Sequence, residues 1–181
     1  TVSGVISGGT TTLLAEDFSS LSPPIATSSS SNPYQIVNNT NCGSSDTWNV
    51  QTSDASGTAC SGCSGNRATI DYGSSSCDQD ATMVLGSFTA TNDEVAISFD
   101  YGYDDYDTDD QLEISLYEEN SGSSNVLLTK TSDCDNCDYS NSSISVNPGN
   151  NYTLRVQYIG DYGYGATVDN VLITEITPSA T

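Results

Sequence analysis

The chain has 181 residues, with 24 acidic and 3 basic side chains, no histidine and a formal net charge of −21. That length suits one domain with its own core, and the charge excludes nucleic acid and disfavours an anionic membrane surface, because little is present to neutralise phosphates. The missing histidine removes the commonest general base, and with it Ser-His-Asp and Cys-His catalysis within this chain.

Thr1 to Thr12 is small, polar and β-branched, with Val2, Val5 and Ile6, and reads as an extended strand or a linker. Leu13 to Phe18 reads as the first core strand and ends in Glu16-Asp17-Phe18. Residues 19 to 33 are Ser- and Pro-rich loop. From Asn38 to Gly65 runs a Cys/Ser/Gly/Asn stretch that holds the one tryptophan, Trp48. It has too few apolar residues to hold itself, so cysteine staples make physical sense there.

The remainder alternates strand and turn. Strands are predicted over Ala68 to Tyr72, Thr82 to Phe88, Glu94 to Tyr101, Gln111 to Tyr117, Val126 to Lys130, Ser142 to Val146, Tyr152 to Ile159 and Ala166 to Ile176. Val95, Ile97, Phe99 and Tyr101 share one parity, as do Leu112, Ile114 and Leu116, which is the period-2 pattern of half-buried strands. Asn92-Asp93, Asn120-Ser121-Gly122 and Pro148-Gly149-Asn150 are turn chemistry. No segment keeps a helical period, and no apolar run is long enough to span a bilayer. The expected fold is all-β, an antiparallel β-sandwich of jelly-roll type over residues 13–176, with a C-terminal linker at 177–181.

Between two of these strands lies Asp100-Tyr101-Gly102-Tyr103-Asp104-Asp105-Tyr106-Asp107-Thr108-Asp109-Asp110, without one basic residue. Its alternating acids lack the glycine and the bidentate glutamate of an EF-hand loop. Tyr101 belongs to the core by parity. Tyr103, Asp104 and Tyr106, with Tyr162 and Tyr164 further on, are the candidate ligand-binding residues: a phenol ring offers an apolar face to a sugar or a partner surface, plus a hydroxyl. The same loop serves equally as an acidic solvated turn.

The six cysteines, Cys42, Cys60, Cys63, Cys77, Cys134 and Cys137, are expected as disulfides in a chain of secreted composition. The two C-x-x-C motifs would argue for zinc in an intracellular protein. Here Cys134 can bond Cys137 across a tight loop, leaving the other four to pair among themselves in an order the sequence does not give. Asn38, Asn141 and Asn151 open glycosylation sequons. A glycosidase needs two carboxylates facing across a sugar. Glu113 alternates with apolar neighbours and faces outward, whereas Glu118 and Glu119 flank a hairpin turn, so no enzyme is expected.

Three features resemble the MAM domain and the cleaved-adhesin and choice-of-anchor jelly rolls. They are Glu16-Asp17-Phe18 followed by a loop to Asp46-Thr47-Trp48, the strand from Val95 to Tyr103 followed by Leu112-Glu113-Ile114, and Val168-Asp169-Asn170-Val171 near the end. The resemblance implies a structural Ca²⁺ held by Glu16, Asp17 and Asp169, with Asn170 as a carbonyl donor. It makes the chain an extracellular or cell-surface, non-enzymatic adhesion or structural domain whose partner is a glycan, another protein surface or copies of itself. The alternative is a carbohydrate-binding module of a secreted glycan-degrading enzyme. Val2, Val5 and Ile6 would serve self-assembly by adding a strand to a neighbour's sheet edge.

Overall fold

The computed structural model describes residues 9–20, 34–38, 47–71, 78–106, 109–160 and 164–176. Among these, every regular element is a strand: β1 (Thr10–Glu16), β2 (Gln35–Asn38), β3 (Asn49–Gln51), β4 (Arg67–Asp71), β5 (Gln79–Thr89), β6 (Glu94–Asp104), β7 (Gln111–Glu118), β8 (Ser123–Lys130), β9 (Cys134–Ser145), β10 (Asn151–Gly160) and β11 (Gly165–Ile176). One sheet runs β3-β4-β11-β6-β9, with β1 also on β11, and the other runs β2-β5-β10-β7-β8. All pairings are antiparallel. This is the β-sandwich of jelly-roll type that the alternation predicts.

The core follows from parity. Val95, Ile97 and Phe99 of β6 face Leu112, Ile114 and Leu116 of β7 and Leu154, Val156 and Tyr158 of β10, and none is more than 2% exposed. Each such apolar side chain contributes roughly 1.5–3 kcal/mol by leaving water. Trp48, 1% exposed, donates its indole N–H to the Ala81 carbonyl at 3.0 Å and so ties the start of β3 to the opposite sheet. The predicted turns close as expected, with Gly122 and Gly149 at φ 72° and 85°, where a side chain would be strained.

Several boundaries differ from the sequence reading. β1 begins at Thr10, because Thr10 to Thr12 pair with Thr174 to Ile176 despite lacking apolar side chains. β2 and β3 lie at or within the Cys/Ser/Gly/Asn stretch, where short strands carry no visible period. β9 begins at Cys134, so the second C-x-x-C motif sits in a strand paired with β6. β6 continues to Asp104, which corrects the placement of Tyr103. That side chain keeps the inward parity of Tyr101, pairs with Ala166 and is 0% exposed, so it belongs to the core and not to a binding loop. Val2, Val5, Ile6 and residues 177–181 lie outside the described residues.

The connection from β3 to β4 crosses the outer face of the first sheet. Ala55 donates its N–H to Thr167 Oγ1 at 2.9 Å, and Ser64 donates to Asp169 Oδ2 at 2.9 Å. The far side of this loop is held by β9. Asn136 donates its N–H to the Ala59 carbonyl at 2.7 Å, and Ser61 donates to Asn136 Oδ1 at 2.6 Å. The approach is close because Gly102 has no side chain: a Cβ there would stand 2.7 Å from the Ala59 carbonyl oxygen. Disulfide Cys60–Cys63 closes a turn of the loop, and Cys134–Cys137 lies in the facing stretch of β9. The loop therefore covers the part of the first sheet around Gly102, Thr167 and Asp169, whereas Leu172 further along β11 is 40% exposed.

Candidate functional site

The acids of the first and last strands meet where β1 lies on β11, with Glu16 opposite Val171. Asp169 is 0% exposed beneath the β3–β4 loop, and its two oxygens accept from Ser64 N and Asn170 N. Burial raises its pKa against these two hydrogen bonds, and the charge of Asp17 adds to the rise. Glu16 accepts from Phe18 N at 2.7 Å, and exposed Asp17 accepts from the N–H and hydroxyl of Ser19. Phe18 itself has φ 54°. Its carbonyl accepts from Asn66 Nδ2 at 3.1 Å. Asn170, at φ 52° in a bulge against β6, directs its amide the other way and donates to the Gly62 carbonyl and to Asp100. The donors at Glu16, Asp17 and Asp169 are all oxygens and suit Ca²⁺ by type. Among the described residues no three acidic side chains yet surround a common point.

The acidic end of the sandwich gathers residues from three connections. Tyr106 and Tyr164 are 60% and 44% exposed and meet edge to face, with ring centroids 5.3 Å apart. Asp104 reaches the same place, since a side chain on Gly57 would collide with both Asp104 and Tyr164. The structure thus brings Tyr106, Tyr164 and Asp104 together, while Tyr162 lies outside the described residues. The Asp104 pKa is raised by burial and by the charges of Asp133, Asp135, Asp105 and Asp110.

A site the sequence did not reveal lies on the outer face of the second sheet. Arg155 of β10 stacks its guanidinium on the Tyr117 ring of β7, 3.3 Å from the centroid. The two are diagonal neighbours, Arg155 pairing with Ser115 and Thr153 with Tyr117. Such stacking holds the planar fork in place and leaves its N–H groups for a ligand. Among the described residues the ion pair is Arg67 with Asp54, and Arg155 belongs to none. Its Nε is buried without a hydrogen-bond partner. Down the same face, Gln157 donates to Asp80 at 2.7 Å, and Gln111 and Glu113 complete a half-exposed polar stripe across β5, β10 and β7. The one advance signal was composition: one of three cations sits mid-strand between Leu154 and Val156.

Other marked residues are structural or open. A cleft of about 260 Å³ is lined by Glu118, Ser124, Asn125 and Tyr152. Glu118 is saturated there by Asn150, Asn147, Ser121 and Ser123, which joins two hairpin ends. Asn141 is exposed on β9, and Asn151 accepts from the Thr89 hydroxyl. The side chain of Asn38, and Cys42 and Cys77 entirely, lie outside the described residues.

No protein-family model matches the chain, and no curated protein matches it in sequence. Solved structures do match. The K1 cleaved adhesin domain of Lys-gingipain from Porphyromonas gingivalis W83 aligns over 94% of this chain and 100% of its own, with TM-score 0.55 and 13% identity. TmCBM61 in complex with β-1,4-galactotriose aligns over 78% and 88%, with TM-score 0.53 and 7% identity. The CBM22-1 xylan-binding domain of Paenibacillus barcinonensis Xyn10C aligns over 96% and 100%, with TM-score 0.51 and 10% identity. What they share with this chain is the fold. That fold serves adhesin and carbohydrate-binding domains alike.

Proposed function

We propose that this chain is a non-catalytic extracellular recognition domain that binds a neutral glycan on the outer face of its second sheet. The observation that carries the reading is Arg155 stacked on Tyr117. In a chain of net charge −21, one of three cations is placed half-exposed on a sheet face, and among the described residues no carboxylate pairs with it. Its N–H groups donate to sugar oxygens, Asp80 and Glu113 accept from sugar hydroxyls, Gln157 and Gln111 do both, and the Tyr117 ring offers an apolar face. The overall charge repels an anionic polysaccharide and leaves a neutral one unaffected. Fold-sharing domains that bind galactotriose or xylan support a glycan ligand.

Calcium belongs to this reading as a stabiliser. Glu16, Asp17 and Asp169 would hold it, and it would supply the positive charge that buried Asp169 lacks at hydrogen-bond range. Adhesion to a protein is the second reading, favoured by the exposed Tyr106–Tyr164 pair within its acidic surround.

Affinity electrophoresis through gels containing neutral galactan or xylan tests the glycan reading. Losing a charge-assisted hydrogen bond costs about 1.5–3 kcal/mol, or roughly 10- to 150-fold in affinity. Arg155→Gln is therefore expected to abolish retardation, and Tyr117→Ala to weaken it. A wild-type chain that runs unretarded in every neutral glycan, or retardation indifferent to both substitutions, would sink the proposal.

A further inference from the structure

Beyond Tyr117 the outer face of the second sheet runs on into a cleft. Thr153 stands two residues before Arg155 on β10, so the two share a face. It pairs with Tyr117 of β7 on one side and with Ser87 of β5 on the other. Its hydroxyl donates to Glu119 Oε1 at 3.2 Å. A cleft of about 480 Å³ opens there, lined by Ser87, Phe88, Thr89, Glu119 and Asn151. That volume lies within the roughly 300–1,000 Å³ of small-molecule clefts.

The walls of this cleft are held while its polar atoms stay open. Glu119 donates its N–H to the Asn151 carbonyl at 2.9 Å, and Asn151 donates its N–H to Asn120 Oδ1 at 2.8 Å, which ties the end of β7 to the start of β10. Asn151 Oδ1 accepts from the Thr89 hydroxyl at 2.6 Å. Glu118 is engaged by Asn150, Asn147, Ser121 and Ser123, but the next carboxylate is not. Glu119 and Ser87 are exposed, and among the described residues Glu119 Oε2, the Ser87 hydroxyl and the Asn151 side-chain N–H have no hydrogen-bond partner. An acceptor, a hydroxyl and an amide donor within one cleft match the hydroxyls of a sugar. From Asn151 to Gln157 the outward residues of β10 cover roughly 20 Å, which is longer than one sugar ring.

We propose that this cleft is a further subsite of the glycan face, so that the ligand is an oligosaccharide lying along β7 and β10 and not a single sugar. This rests on the glycan reading of the same face. Part of the glycan lies over the Arg155–Tyr117 stack, and the units that follow enter the cleft past Thr153. There Glu119 accepts from sugar hydroxyls, and Ser87 and Asn151 donate to sugar oxygens. Glu119 and Ser87 thereby set the length of glycan that the chain prefers.

Isothermal titration calorimetry of the full chain with neutral xylo- and galacto-oligosaccharides, from disaccharide to hexasaccharide, tests this. Affinity is expected to rise along the series. Losing a hydrogen bond to a charged group weakens binding about 10- to 150-fold, and Glu119→Ala is expected to bind the hexasaccharide that much more weakly. Ser87→Ala removes a neutral bond at an exposed position and is expected to lose about 2- to 12-fold. Neither variant changes the disaccharide affinity, which reports the Arg155–Tyr117 stack, and both keep the wild-type circular dichroism spectrum. Arg155→Gln weakens every length. Hexasaccharide affinity that ignores Glu119→Ala and Ser87→Ala but falls in Arg155→Gln would overturn the cleft and leave the glycan reading standing. Affinity independent of length, or equal losses at every length in the cleft variants, would overturn the cleft in the same way. A wild-type chain that binds none of the oligosaccharides would overturn the glycan reading, and the cleft with it.

Discussion

The roof over the first sheet rests on a glycine, and Gly102→Ala tests that. A Cβ at Gly102 would meet the Ala59 carbonyl oxygen at 2.7 Å, its carbon at 3.1 Å and Thr58 Cβ at 3.3 Å. The first two atoms are backbone and cannot rotate away. The Ala59 oxygen is also the acceptor of Asn136 N, and its neighbours hold Asp135 and Asn136 through Ala59 N and Ser61 N. The loop must lift as a unit, stretching those bonds. Overpacking of this kind costs about 1–3 kcal/mol. Taking about 2 kcal/mol, a chain of this size loses roughly 4–8 °C of Tm, at about 2–4 °C per kcal/mol. Gly86→Ala is the control, since its new Cβ meets the mobile tip of Leu14 at 3.2 Å. It should stay within about 0.5 kcal/mol of the wild type. Differential scanning calorimetry on the three proteins decides the matter. If Gly102→Ala melts together with Gly86→Ala, the loop is not seated on the sheet as described.

Further outcomes follow from the same physics. Phe99→Ala empties a site between Tyr101 and Tyr139, whose ring stacks on Phe99 at 4.8 Å, and should cost about 3–5 kcal/mol in urea unfolding. Hydrogen bonds from Asn150 first, then Ser121, Asn147 and Ser123, lower the pKa of Glu118 below 4.5. Its contribution is therefore present above that value and lost as pH falls through the lowered folded pKa. Glu118→Gln should lose less Tm than the wild type over that acid range, and equal losses would refute the linkage. If calcium binds Asp169, EDTA lowers Tm in the wild type, and at 100 times Kd the difference is about 2.7 kcal/mol. In Asp169→Asn that EDTA effect should disappear, and an EDTA effect as large as in the wild type would remove the strand-junction site.

The strands and their inward faces were legible because alternation is local. Val95, Ile97 and Phe99 declare one face without reference to any other strand, and Leu112, Ile114 and Leu116 do the same. β2, β3 and the first half of β9 were not legible. β2 and β3 are too short to show a period and the first half of β9 is small or polar, so pairing with β5, β4 and β6 makes them strands. Tyr103 was misplaced for a related reason: the predicted strand stops at Tyr101, while pairing to Gly165, Ala166 and Thr167 keeps β6 extended.

The sequence by itself determined an all-β, acidic, cysteine-bearing chain, its core parity and its glycine turns, since each depends on residues adjacent or two apart. Only the tertiary structure decided which surfaces can bind. Tyr117 and Arg155 become neighbours through the register of β7 on β10, and Tyr106 meets Tyr164 because β6 and β11 end side by side. The Tyr103 ring of the first sheet and the Tyr158 ring of the second come within 6.4 Å only once the two sheets are packed face to face. Cross-strand register is a property of the whole packed sandwich, and no local pattern encodes it.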